Sequence, residues 1–282
     1  MPGHGNHWCA LCGEDADIGE IIARNCEGAR LIDVHSCVDV ANGTERAEEV
    51  ACLRWGTGSI VEDVLVVTDS PKQERFLFSG YPVIRDGIRH AVTVSRVEPW
   101  EYGIEGWLHV LVTEEEIPIA FFDVRYYAGS SALQTGQQID VSLAGLAYIL
   151  EPVTQSSIGI GEGPLWEIEK RRRLENGESP VAASRPVTVV LSGMAALLSH
   201  GGEGCDDAEF QGVIDAISTV VHDERIFYRL EIVVLRAGDE AFKLPVLVSD
   251  AVLNGYAPRL GEDVRGVMWI QGYLLGTLGD EH

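Results

Sequence analysis

Apolar and polar positions alternate along much of this chain. In "WLHVLV" (107–112), Leu108, Val110 and Val112 fall on one side of an extended backbone, and Trp107, His109 and Leu111 on the other. That period of two predicts a strand. "IAFFDVRYY" (119–127) and "RLEIVVL" (229–235) are rich in the branched and aromatic residues that suit a pleated surface. Helix signals are scarce. The clearest is a segment that opens at Pro164, runs through "LWEIEKRRRLE" and stops at Gly177, with proline and glycine at the favoured ends.

Two glycine-led segments are near copies of each other. "GQQIDVSLAGLAYIL" (136–150) lies over "GEDVRGVMWIQGYLL" (261–275) at an offset of 125, so that Gly136 meets Gly261, Leu143 meets Met268 and Tyr148 meets Tyr273. Upstream, "IPIAFFD" (117–123) lies over "LPVLVSD" (244–250) at 127, which matches Asp123 to Asp250. "LHVLV" (108–112) covers "LEIVV" (230–234), and "AVTVSRV" (91–97) covers "VIDAIST" (213–219), both at 122. Further back, "VLVV" (64–67) meets "VTVV" (187–190) and "FLFS" (76–79) meets "ALLS" (196–199). Self-similarity at a fixed period marks a duplicated unit, here of roughly ninety residues, although matches of apolar class also arise from chance β-patterning.

The expected fold is mainly β, with two tandem repeated β-barrel-like units and few helices. Each unit runs long strand, hairpin, third strand, short connection and glycine-led strand. That order resembles the oligonucleotide/oligosaccharide-binding barrel, with "SSALQTG" (130–136) and "GYAPRLG" (255–261) as the connection. A small β-sandwich is the alternative. The implied organisation is an N-terminal segment 1–63, a first repeat 64–151, a connector 152–186 with one helix, and a second repeat 187–282.

Charge narrows the partners. Asp+Glu 44 against Lys+Arg 21 gives a net charge of −23, a field that repels phosphate backbones. Nucleic acid is therefore disfavoured and protein is the favoured partner. The dense basic run, Lys170–Arg173, sits among Glu167, Glu169 and Glu175, where ion pairing along a helix face accounts for it. No apolar run reaches membrane-spanning length and the N-terminus has no signal-peptide pattern, so a cytoplasmic, membrane-free protein is expected. The oligomeric state is left open.

Chemistry is sparse. "HGNHWCALCG" brings His4, His7, Cys9 and Cys12 together, and the two thiols before a glycine turn suit a zinc knuckle. In "RLIDVHSCVDV", Ile32, Val34 and Val38 are read as inward, and Asp33, His35, Cys37 and Asp39 as the other face. The candidate metal set is thus Cys9, Cys12, His35 and Cys37, with zinc as the candidate cofactor. "GIGEGP" (159–164) lacks a phosphate-loop ending, "VLSGMA" (190–195) is no nucleophile elbow, and His90, His109, His200 and His222 have no evident acid partner. Catalysis is left unassigned. The favoured role is a non-catalytic protein-interaction or ligand-binding module. The alternatives are single-stranded nucleic-acid binding through the barrel-like units, with Trp107, Phe121, Phe122, Tyr126 and Tyr127 in the first and Phe227, Tyr228, Tyr256, Trp269 and Tyr273 in the second as stacking aromatics, and hydrolysis by Asp123 with Asp250.

Overall fold

The alternating segments do become strands. In the computed structural model, which describes residues 5–13, 17–39, 46–69, 74–113, 116–200, 206–238 and 240–276, strand makes up 57% and helix 19%, so the chain is mainly β. Two helices, α1 (Gly5–Cys12) and α2 (Ile18–Gly28), precede a four-stranded antiparallel meander of β1 (Arg30–Asp39), β2 (Arg46–Trp55), β3 (Ile60–Asp69) and β4 (Glu74–Ile84). The Asp17 carboxylate accepts from the Glu20 amide and so caps α2.

The second sheet has nine strands. Its members are β5 (Ile88–Pro99), β6 (Gly106–Val112), β7 (Ile117–Asp123), β8 (Gln138–Pro152), then β11 (Ala196–Ser199), β12 (Asp207–His222), β13 (Arg225–Ala237), β14 (Glu240–Ser249) and β15 (Asp263–Leu274). Between β8 and β11 lie β9 (Ser157–Ile160), α3 (Pro164–Glu175), α4 (Pro180–Ala183) and β10 (Val187–Val190), and α5 (Asp250–Leu253) follows β14. Among the described residues no helix is long and apolar enough to cross a membrane.

The two look-alike segments are β8 and β15, and they pair with each other. Leu143 faces Gly272 and Ala147 faces Met268, two pairs that exchange under the 125-residue offset. Around them the pairings close two cycles: β5–β6–β7–β15–β8 and β12–β13–β14–β8–β15. Each cycle therefore takes a strand from the other half, so the two halves interlock instead of standing in tandem as self-contained units. Both shared strands are buried on two faces, over 141–147 and 268–273. This explains why the chain writes so apolar a segment twice.

Upstream, the sequence matching slips. The bulges after Val94 and after Ile214 coincide only if β5 lies over β12 at an offset of 120, not 122. The parallel pairs Phe122 with Gln271 and Leu247 with Leu146 put β7 over β14 at 125, not 127. Asp123 consequently corresponds to Val248, not to Asp250. A slip of two residues leaves every side chain on the same face, so apolar alternation alone does not detect it. "VLVV" and "FLFS" lie in β3 and β4 of the first sheet, whereas "VTVV" is β10, paired with β9, and "ALLS" is β11. The boundary between 63 and 64 falls inside β3, which begins at Ile60 and is buried through Glu62 and Asp63, and β10 carries the connector past 186.

Two apolar clusters hold this together. One fills the interior of the nine-stranded sheet around Leu108, Leu143, Leu230, Phe210 and Met268. The other joins the first sheet and α1 to its outer face, through Trp8, Leu11, Val67, Tyr81, Phe122 and Trp269.

Candidate functional site

The short strand β11 ends the nine-stranded sheet, paired with β12 from Ala196 with Gln211 to Ser199 with Ala208. Among the described residues no strand pairs with its outer edge, and a sheet edge of this kind is a template for another strand. Clefts open on both sides of it. The first, of about 590 Å³, has Arg96 and His109 on one wall, β7 from Ile117 to Ala120 along another and Leu197 to Ser199 opposite, over Ala208 and Ile270. The second, of about 360 Å³, lies between Leu198, Ile149, Met194 and Arg265. The third, of about 630 Å³, is bounded by Cys9, Tyr148, Ile149, His200, Asp207 and Val252. Leu198 is common to the first two, and Ile149 and Val267 to the last two. Leu198 and Ile149 are 64% and 52% exposed. Apolar walls with a few convergent polar groups are the usual makeup of a binding cleft.

The polar groups in these clefts are already oriented. The His200 ring sits 2.9 Å through Nδ1 from Glu209 Oε1, while the His200 amide donates to the Asp207 carbonyl at 2.7 Å. Tyr148 donates to Asp207 at 3.0 Å. His109 lies 3.0 Å from Glu98, which also holds Arg96 at 2.6 Å. Burial, followed by the Arg96 charge, pushes the His109 pKa down despite Glu98. With His222 2.8 Å from Glu62, three of the four histidines without an evident acid partner in sequence have one in the fold. These partners come from strand pairing or from packing between sheets, which spacing along the chain does not reveal.

The sequence-derived metal residues lie on two elements, Cys9 and Cys12 on α1 and His35 and Cys37 on β1. Cys9 and Cys12 lie on α1, not in a knuckle turn, because Trp8 and Leu11, three apart, bury one face of a helix. Cys9 lines the third cleft. The Cys12 thiol is pushed up to about 11, chiefly by burial and then by Glu62, and its carbonyl accepts from Arg225 at 2.6 Å. Burial and the Glu62 charge both favour the protonated thiol over the thiolate that zinc requires. His35 stands 3.3 Å from Asp33 and edge-on to Tyr127. His4 and the Cys37 side chain lie outside the described residues. Among those described, no three His, Cys, Asp or Glu side chains group so as to hold a metal ion.

The facing of β1 also differs from the alternation. Its register shifts between Leu31 and Asp33, and Asp33 takes a hydrogen bond from the buried Arg125, with Tyr127 contributing a second at 3.4 Å. Asp33 and His35 thereby turn toward the residues after β7, and Val34 is left exposed. Arg125 Nε and Nη1 have no partner despite their burial.

Asp123 and Asp250 do not form a pair. Asp123 is buried, accepting from Ser130 and from the Arg125 amide, whereas Asp250 is exposed at the start of α5. Of the ten aromatics considered for base stacking, Phe121, Phe122, Tyr126, Tyr127, Phe227, Trp269 and Tyr273 are in the core, and Trp107, Tyr228 and Tyr256 are half-buried. Eleven of the 21 basic residues are tied in ion pairs among the described residues. A stacking platform in a basic groove, which single strands need, is not what these residues supply.

No protein-family model matches the chain, and no curated protein is significantly similar to it. Function must therefore be argued from the geometry.

Two carboxyls in this region predict a pH response. Burial raises Asp206 from an ordinary 3.8 to about 6, against the opposing hydrogen bond from Trp269 Nε1 at 2.6 Å. It raises Asp123 to about 6 as well, against Ser130 and the Arg125 amide. The folded chain holds these protons more tightly than the unfolded one, so their contribution falls as pH rises from about 4 through about 6. The double variant Asp123→Asn/Asp206→Asn is expected to match the native protein's thermal midpoint near pH 4 and exceed it at pH 7. Parallel midpoint curves from pH 4 to 8 would refute this.

Proposed function

We propose that the protein is a non-catalytic binding module that takes an extended segment of a partner protein along β11. The segment adds to the outer edge through its backbone, and its alternate apolar side chains enter the clefts on either side. The observation that carries this reading is Leu198, largely exposed on the terminal strand and shared by two clefts. The acidic charge favours a protein partner over nucleic acid, and the burial of most of the candidate aromatics, with the paired cations, counts against the single-strand alternative. The scaffold we propose is a duplicated unit of oligonucleotide/oligosaccharide-binding type with its final strands exchanged. It is supported by the reciprocal register of β8 and β15 and by the glycine turns that lead into them. Gly136 (φ +86°) donates to Val94 O at 2.7 Å and Gly261 (φ +77°) to Ile214 O at 2.8 Å.

The test is selection from a display library of random linear peptides on the purified chain. Enrichment of alternating apolar residues is expected, and Leu198→Asp should weaken the selected peptides by about tenfold or more. Failure to enrich any sequence, or equal binding by the variant, would overturn the proposal.

A further inference from the structure

The connector leaves the body of the protein as an arm. Its roots are fixed where Gly193 N donates to Asp263 at 2.8 Å and Gln211 Nε2 donates to Leu191 O at 2.8 Å. Beyond them, β9 pairs with β10, and α3 packs on α4 and β10. Arg173 locks the arm internally, donating to the Arg185 carbonyl at 2.8 Å while Glu169 pairs with both Arg172 and Arg173.

Within that arm α3 is turned against the usual rule. Trp166, Glu169, Lys170 and Arg173, spaced as one helical stripe, are its half-buried to buried side. Leu165 and Ile168 point outward, 47% and 64% exposed. Val181 on α4 is 87% exposed, and Val190 on β10 is also exposed. A small arm that turns Glu169, Lys170 and Arg173 inward while Leu165, Ile168 and Val181 face solvent has apolar surface to offer a partner.

Charge indicates which partner. Residues 157–190 hold five acids (162, 167, 169, 175, 178) and five bases (170–173 and 185). The arm is therefore neutral, and the whole net charge of −23 lies elsewhere. We infer that the arm is a self-association surface, on which the outward face of α3 and α4 of one chain seats against the same face of a second copy. An identical chain repels this one everywhere except through a neutral region, whereas a basic partner is drawn to the acidic body instead. Like-on-like contact between the two outward faces gives a closed dimer.

The experiment is sedimentation equilibrium of the full chain from about 1 to 200 μM, at about 0.15 and 1 M salt, where the screening length falls from about 8 to 3 Å. A mass of two chains is expected, with tighter association at high salt because repulsion between the bodies is screened. Ile168→Glu/Val181→Glu, and separately Leu165→Lys, should weaken the dimer about tenfold or more, leaving the thermal midpoint and peptide binding at β11 unchanged. A single-chain mass throughout, a dimer indifferent to both variants, or one that loosens in salt as a basic-on-acidic contact does, would overturn the inference.

Discussion

Gly266→Ala is expected to cost about 4 kcal/mol or more, among the largest effects available to a single methyl group. Gly266 lies on β15 at the seam, opposite Leu150 of β8 and Phe210 of β12. A Cβ there would stand 1.9 Å from the Ile149 carbonyl oxygen and 2.8 Å from its carbon. Those are backbone atoms of the neighbouring shared strand, so no rotamer change relieves the clash. The strand must move, and because β8 and β15 serve both cycles, both lose register. Gly136→Ala is the contrast. Nothing lies within 4 Å of its added Cβ, and the cost there is only the left-handed backbone (φ +86°), about 1–2 kcal/mol. Urea unfolding should separate the two by a large difference in midpoint. Equal midpoints would mean that the seam is loose enough to admit a side chain.

What could be read from the sequence follows from what period-two patterning encodes. Alternation in "WLHVLV" and the copied segments marked β6, β8 and β15, and Pro164 marked the start of α3, because local spacing alone determines these. The exchange of strands between the two halves was not legible, since it depends on which edge each strand meets. The two-residue slips in β5 and β7 were invisible for the reason that also hid the mismatch of Asp123 and Asp250: faces are conserved under a shift of two. The candidate site was the least legible part. β11 is four unremarkable residues, "ALLS", and it draws attention only because it is the terminal strand of its sheet among the described residues. Cys9 entered the reading as a metal ligand, and the cleft it shares with His200 and Asp207, about two hundred positions away, gave no sign in the sequence. Arg125 gave no signal in a strand-like run, because its partner Asp33 comes from a different sheet.

Arg54 and Asp63 carry the other large expected effect. They face each other across β2 and β3, with Arg54 Nε and Nη2 each 2.7 Å from a different carboxylate oxygen. Their side chains are 4% and 0% exposed. Removing one partner leaves an uncompensated charge in a site that water does not reach, so Arg54→Met and Asp63→Leu should each cost about 3–5 kcal/mol. The pair itself need not contribute that much, because each ion has also been taken out of water. Hence Arg54→Met/Asp63→Leu is expected to recover most of the loss, and a double-mutant cycle by urea unfolding should give a coupling of several kcal/mol. Additive single losses would refute the pairing. The consequence should extend past the first sheet. Neighbouring Glu62 accepts from Asn25 of α2 and lies 2.8 Å from His222 at the end of β12, so β3 ties α2, the meander and the nine-stranded sheet together at one point. Arg54→Met, which leaves the Asp63 charge unpaired, should therefore raise hydrogen exchange at His222 as well as along β2, while β11 and its clefts, built on the other end of β12, keep their protection.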